Sequence, residues 1–314
     1  MNKKDFLRVA DYTKDEIKEL FDLTGRLKAR QKKGDPARPL EGRTLGMIFQ
    51  KSSTRTRVSF EVGMYQLGGY PLFLSANDLQ LKRGETIADT ARVLSRMLDA
   101  IMIRTYAHSE VEELARHATV PVINGLTDSH HPCQIMADIY TVMEHRKSVK
   151  GLTVAWVGDG NNVLHSWLEG APLTGMNLRM AVPPGYEPDK GMLKFGADLA
   201  KKEGTQMLLT NDPVEAVKGA DVIYTDVWVS MGQDAEKEKK LRDFKGFQIN
   251  EALMKHAAKD YLFMHCLPAH RGEEVSEGII DGEHSIILDE AENRLHVQKA
   301  ILTAHILRGK EISV

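Results

Sequence analysis

The chain has 314 residues, with 42 Lys plus Arg against 44 Asp plus Glu, and a formal net charge of −2. Hydrophobic residues make up 42% and charged residues 27%, which excludes general disorder, and the near-neutral balance argues against nucleic acid as the primary partner. Two cysteines, Cys133 and Cys266, leave no disulfide framework and point to a reducing compartment. The N-terminus has no apolar run before Asp11, which argues against a secretory signal, and no apolar stretch approaches the roughly 18 residues of a membrane span. At about 150 residues per domain, the expectation is a cytoplasmic protein of two domains.

Short apolar runs alternate with amphipathic segments along the whole chain. Residues 43–50 (RTLGMIFQ) read as a buried strand, 54–67 as a helix ending at Gly68-Gly69, and 70–75 as a strand. Residues 86–98 are helical, with Ile87, Ala91, Leu94 and Leu98 on one face. Then follow a strand at 99–104 (DAIMIR), a helix at 109–117, a strand at 121–124 and a helix opening at Pro132. The rhythm restarts at Gly151, with strands at 152–157, 177–182, 206–210, 221–225, 261–265 and 285–288, and a long last helix at 291–307. Such alternation predicts an α/β protein of two lobes, each a parallel sheet flanked by helices, with the active site in the cleft between them. The boundary is expected near 147–150, giving domains of 1–148, rejoined by the last helix at 291–314, and 149–290. Residues 233–240 (QDAEKEKK) read as a solvated helix or mobile loop.

Three constellations carry chemistry. In the first, Ser53-Thr54-Arg55-Thr56-Arg57 follows a strand and opens a helix, bringing hydroxyls and two guanidinium groups to the free N–H groups of a helix N-terminus. That suits a phosphate, although a plain N-cap with solvent-facing arginines has the same spelling. Arg104 ends a strand, and His131 and Gln134 flank a Pro132 suited to a first helical turn, so both can face one way and donate to a carbonyl oxygen. Cys133, between them, reads as core.

In the second, Gly158-Asp159-Gly160-Asn161-Asn162-Val163 imitates a dinucleotide fingerprint, but Val163 replaces the third glycine and no acid ends the next strand. A nucleotide-dependent dehydrogenase is therefore disfavoured, and the asparagines either bind a small polar substrate or cap the helix. Asp226 ends a further strand and suits an ammonium group or a turn. In the third, His265-Cys266-Leu267-Pro268-Ala269-His270-Arg271 crowds a strand end. Positive neighbours there would lower the thiol pKa, and pairing with Asp226 would raise it. No second cysteine stands at ligand spacing, so no metal is expected.

Together these motifs resemble the transcarbamylase family in its ornithine branch, over residues 4–307. STRTR at 53–57 is similar to the carbamoyl phosphate signature, HPCQ at 131–134 to the family's HPxQ, and GDGNN at 158–162, DVWVSMG at 226–232 and HCLPAHRGEEV at 265–275 to the ornithine branch. The resemblance implies that Ser53, Thr54, Arg55 and Thr56 hold the phosphate of carbamoyl phosphate and that Arg104, His131 and Gln134 hold its carbonyl end. It also brings Arg294 to that substrate, and Gln80 from a loop that some members insert into a neighbouring subunit. Asn162, Asp226, Ser230 and Met231 would bind ornithine, with Cys266 and Leu267 at the junction of the two substrates. Arg104, His131, Asp226 and Cys266 are the implied catalytic groups. The implied reaction transfers the carbamoyl group to the ornithine side-chain amine, as in arginine biosynthesis, with no cofactor, no nucleic-acid or membrane partner, and a homotrimer or an assembly of trimers. Putrescine as acceptor, or a non-catalytic partner protein of the same fold, are the rival readings.

Overall fold

Two parallel β-sheets organise the molecule, each inside its own unit of a computed structural model that describes residues 2–75, 79, 84–229, 234–310 and 312. The first unit comprises residues 1–137 and 292–314, and the second comprises 138–291.

The first unit opens with helix α1 (Lys14–Lys32), which the sequence reading passed over. Thr13 and Glu16 cap it reciprocally, and Ile17, Leu20, Phe21, Thr24 and Leu27 recur at helical spacing on its buried face. Strand β1 (Thr44–Phe49) leads to α2 (Thr54–Gln66) and β2 (Tyr70–Ser75), and α3 (Ile87–Leu94) leads to β3 (Ala100–Arg104). Helix α4 (His108–His117), β4 (Val122–Leu126) and the start of α5 (Pro132–Arg146) follow. The sheet order is β2-β1-β3-β4, all parallel, with Leu45 opposite Ala100 and Phe49 opposite Arg104. Ile48, Ile101, Ile103, Val111, Leu114 and Val122 fill the core of this unit.

The second unit continues through α5 to β5 (Thr153–Val157), α6 (Asn162–Leu173), β6 (Asn177–Ala181), α7 (Lys190–Glu203) and β7 (Met207–Thr210). Helix α8 (Pro213–Val217), β8 (Val222–Thr225), α9 (Lys237–Asp243), α10 (Glu251–Met254), β9 (Leu262–His265) and α11 (Glu277–Ile280) complete it. Its order is β7-β6-β5-β8-β9, again all parallel. Helix α12 (Ile287–Ile306) begins in this unit and ends in the first. The expected strand at 285–288 is not one: Ser285 makes a single bridge to Phe263, and α12 starts at Ile287 with Asp289 and Glu290 in its first turn, where acids are favoured. Among the described residues no helix is long and apolar enough to cross a membrane.

A parallel open sheet binds ligands beyond the carboxyl ends of its strands, where the strand order reverses. In the first sheet, chain connections leave in opposite directions from β1 and β3. In the second they do so from β5 and β8. Every functional residue described below lies after one of these strands or is brought beside it.

Candidate active site

The first reversal carries a cationic pocket. Ser53 caps α2 by accepting from the Thr56 amide at 3.2 Å, and the Gln50 amide donates to the Arg104 carbonyl at 2.8 Å, fixing the turn after β1 to the end of β3. The buried Thr56 hydroxyl accepts from Arg294 at 2.7 Å and from Arg104 at 3.4 Å. Arg294 also donates to Gln134 Oε1 at 2.6 Å, so α12 ties α2 to α5 within this unit. Burial, then the charges of Arg294, Arg104 and Arg55, hold the His131 imidazole well below its usual pKa. His131 is therefore neutral at pH 7, beside three guanidinium groups and the N-terminus of α2. Thr54 is exposed at that N-terminus.

Arg57 does not join them. It donates to Glu61 at 3.0 Å and lies 3.8 Å over the Phe73 ring, one residue being enough to turn it to another face of the helix. Cys133 is core: its thiol donates to the Asn124 carbonyl at 3.3 Å, and burial pushes its pKa up to about 12.

The second reversal carries a pocket of amide, carboxylate and thiol. Asn161, not Asn162, is the N-cap of α6, accepting from Val163 at 3.0 Å and Leu164 at 3.2 Å. Its amide also donates to Asp226 Oδ2 at 2.7 Å. The other oxygen, Oδ1, accepts from the Cys266 thiol at 3.1 Å and from the Val227 amide at 2.8 Å. Asn162 opens the helix, half-buried. Gly160 has no room for a side chain, because a Cβ would stand 2.4 Å from Tyr186 O and Pro188 N.

Of the two opposed influences on the Cys266 thiol, the one that raises its pKa prevails. Burial first, then the carboxylates of Asp226 and Glu290, push it well above the usual thiol range. The positive neighbours are engaged elsewhere: Arg271 pairs bidentately with Asp281 at 2.8 and 2.7 Å, and His265 turns to Leu267 and Glu274. His265 Nδ1 accepts from the Leu267 amide at 2.8 Å, so Nε2 carries the proton and faces Glu274 at 3.2 Å. Leu267 holds φ at 58°, a left-handed conformation unusual for a bulky residue. The Tyr224 hydroxyl lies 2.9 Å from Asp138 and 3.1 Å from Glu290, its single proton shared between the two carboxyl groups, and Glu290 accepts from the His265 amide at 3.0 Å. Asp226, His265 and Cys266 come within 4.8 Å of one another, but their donor atoms are turned to these partners.

The capping alternative for the asparagines holds at Asn161, while sequence reasoning missed Asp138, Tyr224, Glu290 and Glu274. No local motif marks these four, because they act from parts of the chain distant from the residues they support. The run at 233–240 is also not wholly solvated. Lys240 is buried against Asp159 at 2.7 Å, while residues 235–239 are exposed. Gln80, Ser230 and Met231 lie outside the described residues.

Two parallel α/β units, one with a cationic pocket at its strand reversal and the other with an amide, a carboxylate and a neutral thiol, define a two-domain group-transfer enzyme. The chain belongs to the aspartate/ornithine carbamoyltransferase family, matching its carbamoyl-P binding domain over residues 4–144 and its Asp/Orn binding domain over 150–305. It is 63% identical to an ornithine carbamoyltransferase of Carboxydothermus hydrogenoformans over 96% of each chain. It is 57% identical to an anabolic ornithine carbamoyltransferase of Pyrococcus furiosus over 95% of each. Among solved structures, the ornithine carbamoyltransferase from Pyrococcus furiosus aligns with a TM-score of 0.94 at 56% identity, covering 98% of each chain. That from Thermus thermophilus aligns at 0.87 and 43%, covering 98% of this chain and 100% of the other.

Proposed function

We infer that the protein transfers the carbamoyl group of carbamoyl phosphate to the side-chain amine of L-ornithine, giving L-citrulline and phosphate, a step of arginine biosynthesis. The observation that carries this reading is the 63% identity to an ornithine carbamoyltransferase along 96% of both chains. The first unit, on this reading, binds carbamoyl phosphate. Ser53, Thr54, Arg55 and Thr56 hold the phosphate at the α2 N-terminus, with Arg104, His131, Gln134 and Arg294 at the carbonyl end. The second unit binds ornithine through Asp226, with Asn162 and with Ser230 and Met231 from outside the described residues. Gln80 joins the carbamoyl phosphate set, and Cys266 and Leu267 meet both substrates.

The amine attacks as the neutral species. An amine of pKa near 10.4 costs roughly 4 kcal/mol to deprotonate at about pH 7.5. Desolvation in the pocket offsets part of that cost, and Asp226 orients the amine and, as the adjacent base, accepts its proton. Cys266 keeps its proton and acts as a donor to Asp226, so transfer is direct and forms no carbamoyl-cysteine. As the carbonyl carbon becomes tetrahedral, its oxygen gains charge beside Arg104, the neutral His131 and the Thr56 hydroxyl, which act as an oxyanion hole. The oxyanion then re-forms the carbonyl, the C–O bond breaks with its electron pair leaving on the phosphate oxygen, and the departing phosphate takes the proton from the nitrogen.

A cytoplasmic homotrimer completes the reading. Support for the trimer comes from exposed apolar side chains on the first unit: Val58, Val62 and Tyr65 on α2, and Tyr70 at the start of the edge strand β2.

The test incubates purified protein with carbamoyl phosphate and either ornithine or putrescine. Citrulline in large excess is expected, from a species that sediments as a trimer or a multiple of it. Preference for putrescine would overturn the acceptor assignment, no product would favour a non-catalytic protein, and a monomer would refute the trimer.

A further inference from the structure

The buried pair Lys240–Asp159 has no part in the chemistry above. Lys240 Nζ donates to Asp159 Oδ2 at 2.7 Å, with 2% of Lys240 and 8% of Asp159 exposed. Lys237 and Lys239, in the same helix, stay in solvent and pair with the half-buried Glu273 and the exposed Asp243. Only Lys240 turns inward, its ammonium 5.5 Å from the Tyr186 ring centre and 5.9 Å from that of Phe244.

Dehydrating two charges offsets most of their attraction, so a buried pair is a poor source of stability. What this pair does supply is a fixed position. Asp159 stands two residues before Asn161, its carbonyl accepts from the Asn161 amide at 2.9 Å, and the same carbonyl accepts from Trp156 Nε1 at 3.1 Å. Asn161 in turn holds Asp226 at 2.7 Å. A continuous line of contacts therefore runs from α9 through the loop after β5 to the carboxylate at the end of β8. Burial first, and then the Asp226 charge, oppose ionisation of Asp159, while Lys240 favours it, so the lysine lets carboxylates from two neighbouring strand ends stand close together.

We propose that Lys240 and Asp159 are positioning residues for the amine acceptor, their ion pair setting the loop that carries Asn161 and thereby the placement of Asp226. This rests on the ornithine reading above. Removing Lys240 strands a buried carboxylate beside Asp226, and removing the pair releases the loop.

The experiment compares wild type, Lys240→Arg, Lys240→Met and the double variant Asp159→Asn/Lys240→Met, with KM measured separately for each substrate and thermal stability measured alongside. Lys240→Met is expected to raise KM for ornithine at least about tenfold and to leave KM for carbamoyl phosphate within about twofold. Lys240→Arg keeps the charge and recovers most of the ornithine affinity. The double variant, with no lone buried charge, recovers thermal stability but not ornithine KM. If the double variant regains both, or if Lys240→Met shifts both KM values equally or neither, the pair is structural and the proposal fails. Should Lys240→Met not fold, the double variant decides alone. Wild type that makes no citrulline refutes the ornithine reading itself. Active wild type with unmoved variants refutes only the positioning role.

Discussion

Arg104 shows how one residue acquires its role from two strands. It ends β3, its carbonyl anchors the turn after β1, and its guanidinium reaches the Thr56 hydroxyl at 3.4 Å. Losing one donor to a developing oxyanion costs about 3 to 4 kcal/mol, so Arg104→Gln should lower turnover by at least about 100-fold. Steady-state kinetics check this, and near-normal turnover would remove Arg104 from the oxyanion hole. Much of this pocket was legible, since STRTR spells an N-cap, hydroxyls and arginines in adjacent positions. What the spelling does not disclose is direction: Arg55 bears on His131, whereas Arg57 goes to Glu61 and Phe73. For Cys266, the sequence left two opposed influences on the thiol. Distance decides between them, because Asp226 is 3.1 Å from the sulfur while Arg271 is engaged by Asp281.

At the scale of elements, the parallel strands were the readable part, because strands covered on both faces are short unbroken apolar runs such as TLGMIF and AIMIR. Reading failed where a short apolar run opens a helix. SIIL at 285–288 has strand composition, yet the acids that follow favour the helix that starts at Ile287. It also failed for Lys240, since a charged run at helical spacing gives no sign of which member turns inward. The loop after β5 shows the opposite case, a glycine whose reason is steric and visible only in space. Gly160 packs against backbone at 186–188, so Gly160→Ala must displace one chain or the other. Overpacking of this kind costs about 1 to 3 kcal/mol. A lower melting temperature and a raised ornithine KM are expected, with the carbamoyl phosphate KM little changed. A melting temperature equal to wild type would mean that the loop yields freely.

Over the whole molecule, α12 carries a pH dependence of its own. Burial is the main reason that His296 and His305 fall to pKa values of about 4, His305 being enclosed by Tyr12 and the Lys4 carbonyl. An unfolded imidazole titrates near 6.5, so between about pH 6.5 and 4 the unfolded chain binds more protons than the folded one. Stability therefore rises with pH across that window and is lost on acidification, by up to about 1.4 kcal/mol per pH unit for each histidine. Denaturant midpoints measured from pH 7 to 4 should fall accordingly, and His296→Gln should flatten the fall. An unchanged slope in that variant would assign the loss to other groups. The same helix has a further consequence, for the order in which the protein is made. Arg294 reaches Gln134, 160 residues earlier in the chain. At translation rates of about 5 to 20 residues per second, that interval lasts roughly 8 to 30 s. Through it, a nascent chain can assemble its first sheet but lacks the arginine that links Thr56 to Gln134. The cationic pocket is thus incomplete in every unfinished polypeptide, and a chain cut short before residue 294 lacks the Arg294 that joins its parts.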